Sequence, residues 1–152
     1  MYKCKHFKIY ELVDKCTHDL WGEDSWQFFD TNSLQMIDDL WDFSAKYIFS
    51  DKPIIIINDW KWGGQYNWSG LRTIFCEIGS NRSMHRFAKG FDLKFKGSFK
   101  KADYEEIRRI IFKHQDHPLL NRINRIEAYT LNWLHIDSAN IPDRQRIKIV
   151  RV

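Results

Sequence analysis

The apolar positions change period several times along the chain, and each change marks an element. Between Ser33 and Ile48, the residues Leu34, Ile37, Trp41, Ala45 and Ile48 recur at helical spacing, with Asn32 or Ser33 available as the cap. Pro53 then introduces Ile54-Ile55-Ile56-Ile57, a β-branched run that predicts a central strand. Residues 90–96 alternate loosely and predict another strand. From Ala102 to His114 the period is helical again, with Tyr104, Ile107, Ile110 and Ile111 on one face and charges on the other, and His117-Pro118 ends it. Ile123 to Tyr129, Asn132 to Asp137 and Ile147 to Val152 predict three more strands, the first two close enough to form a hairpin. Residues 7–30 read as short irregular or helical pieces, and Asn58 to Gly70 as a loop rich in Trp and Gly. The pattern predicts an α+β fold: helices packed against one face of a small, mainly antiparallel sheet.

Composition narrows the class. The 152 residues suit one domain, 1–152, with no linker, repeat or low-complexity segment to divide it. Aromatics make up 16% of the chain, including seven Trp, so much of the core is aromatic. The net charge of +4 comes from scattered Lys and Arg rather than from a basic block. Charge therefore argues only weakly for nucleic-acid binding. The aromatics of WKWGGQYNW have the chemistry to stack bases, but core packing or a groove wall is the simpler role, and no nucleic acid is expected. Cys4, Cys16 and Cys76 form neither a disulfide framework nor a CxxC metal site. The N-terminus MYKCKHFKIYEL lacks the apolar core of a signal peptide, and no apolar run reaches membrane-spanning length. The expectation is a soluble protein made in a cytoplasm. Action outside a cell would then need another route of release.

The chemistry-bearing residues are few. Of six His, His6 and His18 lie in the polar N-terminal part, where surface positions are the ordinary reading. His114 and His117, three apart at a helix end, fit the helix dipole better than a ligand pair. His135 differs. In NWLHID, period-two alternation puts Trp133, His135 and Asp137 on one face, which suits a site wall and a buried polar pair equally. His85 and Asp92, seven residues apart in SMHRFAKGFDLKF, add to these the donor types that bind Zn²⁺. Taken alone, that spacing is unspecific.

In combination the motifs are more telling. SMHRFAKGFDLKF resembles the SxHxxGxAxD signature of zinc D-Ala-D-Ala carboxypeptidases and their relatives, which share a fold with hedgehog signalling domains. NWLHID resembles that family's WxHxD segment. The pattern looks most similar to small phage and prophage peptidase-like proteins. FKIYELVDK, WQFFD, PIIIIND, WKWGGQYNWSGLRT, the His/Asp signature, RIEAYTLNWLHID and the closing strand occur in the expected order over nearly the whole chain. The resemblance implies zinc ligands His85, Asp92 and His135. It implies that Arg72 grips a substrate carboxylate or a developing oxyanion, and that Ser83 shapes the substrate or ligand loop. The implied activity is cleavage of peptidoglycan stem peptides, as a D-Ala-D-Ala carboxypeptidase or an endolysin-like endopeptidase. Release through a holin, or carriage in a virion, would fit the missing signal peptide.

Two departures stand out. The signature's glycine falls at Ala88 and its alanine at Gly90, so the small residues are exchanged. Many relatives carry a carboxylate three residues before the last His; here that position is Asn132. Glu127, in RIEAY, is then the preferred general base if its strand pairs with Asn132 to Asp137. Asp137 is the other candidate, with orientation of His135 as its alternative role. The same fold retaining zinc without turnover, as a structural or wall-binding module, is the competing reading.

Overall fold

Strand alternation gives the sheet two unlike faces. A computed structural model describes residues 1–49, 52–74, 76–96, 101–141 and 146–151. The five strands are β1 (Ile55–Ile56), β2 (Gly90–Phe95), β3 (Arg125–Glu127), β4 (Leu134–Asp137) and β5 (Lys148–Val150), in the spatial order β1-β2-β4-β3-β5. All pairings are antiparallel except β3 with β5. On one face Phe91, Leu93, Phe95, Ile126, Leu134 and Ile136 are buried. The intervening residues Asp92, Lys94, Arg125, Glu127, His135 and Asp137 take the opposite face, because successive strand side chains alternate.

Helices cover the apolar face. Among the described residues the α-helices are α1 (Ile9–Leu12), α2 (Lys15–Trp21), α3 (Thr31–Tyr47) and α4 (Lys101–Lys113). Leu34, Ile37, Leu40 and Phe43 of α3 and Ile107 and Ile111 of α4 join the sheet residues in one hydrophobic cluster. Phe95 meets the Tyr104 ring at 6.0 Å, and Phe91 stacks on Phe29, also at 6.0 Å. The fold is therefore α+β, as the periodicity predicts. Helix α3 begins earlier than expected: Asp30, rather than Asn32 or Ser33, is the cap, and its carboxylate accepts the Ser33 N–H at 2.7 Å.

The isoleucine run does not form the expected central strand. Only Ile55 and Ile56 pair, at the sheet edge against β2, and Ile54 is 57% exposed. Competing hydrogen bonds end the strand. The Asn58 N–H reaches Glu11 O at 3.0 Å, and its side-chain amide donates to Val13 O at 3.0 Å. A β-branched run scores for strand wherever it lies, and position in the sheet is a tertiary matter.

The last three expected strands form, each shorter than predicted, and β3 and β4 do make the hairpin. Val152, the predicted end of the last strand, lies outside the described residues. His114 and His117 pack with Phe43 and Tyr47, and His117 Nδ1 accepts the Leu119 N–H at 3.2 Å, a structural role. His6, read as a surface residue, instead stacks on Trp41 at 3.8 Å and bonds Asp42 at 2.9 Å.

Candidate metal centre

The polar face of the sheet carries a His-Asp-His cluster, and strand register builds two-thirds of it. Asp92 on β2 pairs directly with His135 on β4, so both side chains leave the same face side by side. His85 arrives from a short 3-10 helix, Met84–Phe87, that runs into β2. That helix ends at Ala88, whose φ of 55° is the left-handed conformation that glycine adopts most easily. At Gly90 a Cβ would sit 3.1 Å from His135 Cε1 and 3.1 Å from the His85 backbone nitrogen. The exchanged small residues of the motif thus do separate jobs, a turn at Ala88 and close packing at Gly90.

Three donor atoms converge. His85 Nε2 lies 3.2 Å from His135 Nδ1 and 3.3 Å from Asp92 Oδ1, and His135 Nδ1 lies 2.7 Å from Asp92 Oδ1. The far side of each imidazole is tied to an acceptor. His85 Nδ1–H donates to Gly70 O at 2.7 Å, and His135 Nε2–H to Asp137 Oδ2 at 3.3 Å. His85 Nε2 therefore presents a lone pair to the cluster, whereas His135 Nδ1, facing the Asp92 carboxylate, carries a proton in the metal-free protein. Such a set calls for a cation. His85, Asp92 and His135 form a group that can hold a metal ion. Donors about 2.0–2.1 Å from a tetrahedral zinc stand roughly 3.3 Å apart. Two of the three separations match that spacing. The third is the length of a hydrogen bond, and a proton bridges it.

Electrostatics follow from the geometry. Burial works against a charged His135, but hydrogen bonds to Asp137 and Asp92 outweigh it and push its pKa up to about 9. Burial holds His85 below its ordinary value, partly opposed by Asp92. Burial would raise Asp92, yet its hydrogen bonds with His135 and His85 drive it far below the carboxylate range.

The other predicted site residues sit around this cluster. Arg72 donates from Nη2 to Asp92 Oδ2 at 3.0 Å and from Nε to Trp68 O at 2.7 Å. It therefore holds the second oxygen of the Asp92 carboxylate. Asp137 is fully buried and its oxygens are engaged: Arg125 clamps both at 2.8 to 3.0 Å, and the Ala139 N–H reaches Oδ1 at 3.0 Å. Those bonds, with His135, outweigh burial and lower its pKa, which suits an orienting acceptor rather than a base. Glu127 is the contrasting carboxylate. Burial raises its pKa, and the nearby His135 and the Trp133 indole only partly offset that. Ser83 precedes the short helix without capping it through its side chain.

A cavity of about 390 Å³ opens onto the cluster, and its walls include Arg72, Ser83, His85, Asp92, Glu127, Trp133, His135 and Asp137. Every site residue predicted from the motifs lines that one cavity. Two contributors were not foreseen. The Gly70 carbonyl is a backbone group with no side-chain signature. Arg125 stands two residues before Glu127, and only the β3–β4 register, Arg125 opposite Asp137, reveals its role.

The fold and this cluster define an α+β domain with a buried two-histidine, one-carboxylate centre. Against family models, curated proteins and solved structures, the chain matches none. Among the described residues no helix is long and apolar enough to cross a membrane.

Proposed function

We propose that the protein is a zinc-dependent peptidase that cleaves peptidoglycan stem peptides, as its motifs suggest. The observation that carries this reading is the convergence of His85 Nε2, His135 Nδ1 and Asp92 Oδ1 at an open cavity that Glu127 also lines. Three protein donors with an open side are the hallmark of catalytic rather than structural zinc sites. When bound, zinc supplies Lewis-acid polarisation of a scissile carbonyl and a more acidic water.

The chain's own residues do the rest. Glu127, with its raised pKa, takes a proton from the attacking water at a carboxylate oxygen. It returns that proton to the nitrogen of the breaking C–N bond, while the water oxygen joins the carbonyl carbon. Asp137, held by Arg125, keeps His135 in one tautomer with Nδ1 toward the site. Arg72 fixes Asp92 and, lining the cavity, is assigned to a substrate carboxylate or a developing oxyanion. Ser83 lines the cavity and is assigned to substrate contact.

A second reading, a zinc-binding module without turnover, draws on Asn132, which stands exposed on the β3–β4 turn in place of the usual carboxylate. One experiment separates the two. Defined muropeptides are incubated with zinc-loaded protein, with and without chelator, and the products are weighed by mass spectrometry. A peptidase yields a new free amine that chelator abolishes and zinc restores. Bound zinc with intact muropeptides supports the module instead.

A further inference from the structure

We propose that Arg108, on helix α4, is a positioning residue that sets Glu127 and Trp133 against the cavity; its catalytic consequence rests on the peptidase reading above. Arg108 lies across the sheet from the metal cluster and belongs to no motif, yet it is only 4% exposed. Burying a guanidinium is costly unless its donors are used. Here Nε and Nη2 are spent on one turn. Nε donates to Glu127 O at 3.0 Å, and Nη2 donates to Thr130 O at 3.2 Å, to Trp133 O at 3.1 Å and to the Thr130 hydroxyl. The Thr130 hydroxyl in turn donates to Trp133 O. Nη1 faces Glu105 of the same helix at 3.0 Å.

The turn that Arg108 gathers is the β3–β4 connection. It begins at Glu127, passes through Tyr129 at a left-handed φ of 65°, and ends at Trp133, two residues before His135. A non-glycine residue in that conformation needs outside support, and the guanidinium supplies it through three carbonyls of the same turn. Glu127 and Trp133 both line the cavity, and the Trp133 side chain acts to lower the pKa of the Glu127 carboxylate against the effect of burial. Fixing the carbonyls of residues 127 and 133 therefore fixes where this carboxylate and this indole stand. Lysine, a point charge with three donors, cannot span the same carbonyls.

The test uses the full chain loaded with zinc. Arg108→Lys and Arg108→Met are compared with the parent for zinc content, kcat and KM on a defined stem peptide. Thr130→Val is added because it removes one acceptor without unpairing a buried charge. The expected result is unchanged zinc content, KM within about twofold, and kcat lowered roughly 10–100-fold in Arg108→Met, as for a misplaced catalytic group. Arg108→Lys should recover part of that loss, and Thr130→Val should lose kcat in the same sense. Parental kcat in Arg108→Met and Thr130→Val overturns the proposal. If the parent binds zinc and cuts no stem peptide, the peptidase reading alone fails. Positioning is then decided by the indole N–H resonance of Trp133, identified with Trp133→Phe. A shift in Arg108→Lys and Thr130→Val supports it, and an unmoved resonance overturns it.

Discussion

Asp92 and His135 are direct partners across the β2–β4 ladder, and Asp92 Oδ1 lies 2.7 Å from His135 Nδ1. Strand pairing itself therefore places two of the three residues of the candidate metal centre. A slip of β2 by one residue would turn Asp92 to the apolar face, opposite Leu134 or Ile136, and leave His135 without it. The same register that buries the core thus sets the ligands.

The first prediction concerns the metal. Protein purified without chelator should carry about one zinc per chain, by the three-donor argument. His85→Ala and His135→Ala should each lose it, read by elemental analysis. Full zinc retention in either variant would remove that residue from the ligand set.

Asp137→Asn probes the support of His135. The variant leaves Arg125 without its carboxylate and lets the imidazole choose its tautomer. Zinc affinity should weaken about 10–100-fold, the usual effect of losing an orienting partner. Competition with a chromogenic chelator measures it.

Glu127→Gln separates binding from chemistry. The amide keeps shape and loses the basic oxygen, so zinc content should be unchanged while kcat falls roughly 10²–10⁴-fold. Unaltered turnover would exclude Glu127 as the base.

The pH dependence of the metal-free protein follows from His135. Its folded pKa of about 9 lies above the ordinary 6.5, so the folded state binds more protons between those values. This contribution is fully present below pH 6.5 and is lost as pH rises through about 9. Urea midpoints of chelator-treated protein should fall across that window. Zinc competes with the same proton, so binding near pH 7.5 should release about one proton, measured by calorimetry in buffers of different ionisation enthalpy. Binding without proton release would show that His135 is neutral in the metal-free protein.

Gly70→Ala tests the backbone support of His85. A Cβ there would lie 2.0 Å from the Leu12 carbonyl oxygen, so the chain must move, and with it the carbonyl that His85 Nδ1 uses. Overpacking of this kind costs about 1–3 kcal/mol. For a chain of this size that lowers Tm by roughly 2–12 °C, and zinc should bind more weakly as well. A parental melting curve would contradict the close packing of Gly70 on Leu12.

The sequence alone determined what local periodicity and residue chemistry can express. Helices α3 and α4, strand β2 and the β3–β4 hairpin were legible, because side-chain alternation is written in consecutive residues. The donor types at His85, Asp92 and His135 were legible as residue chemistry, and only the order of the motifs suggested grouping them. Tertiary structure decided what depends on distant segments meeting. It put the isoleucine run at the sheet edge, since Asn58 finds better partners in Glu11 and Val13. It turned His85 by means of the Gly70 carbonyl, 15 residues away, and made Asp137 an orienting group by setting Arg125 opposite it. It also wrapped the β3–β4 turn around Arg108, which sequence shows only as one charge on an amphipathic helix. Hydrogen bonds between segments far apart in the chain leave no periodic trace, and these complete the site.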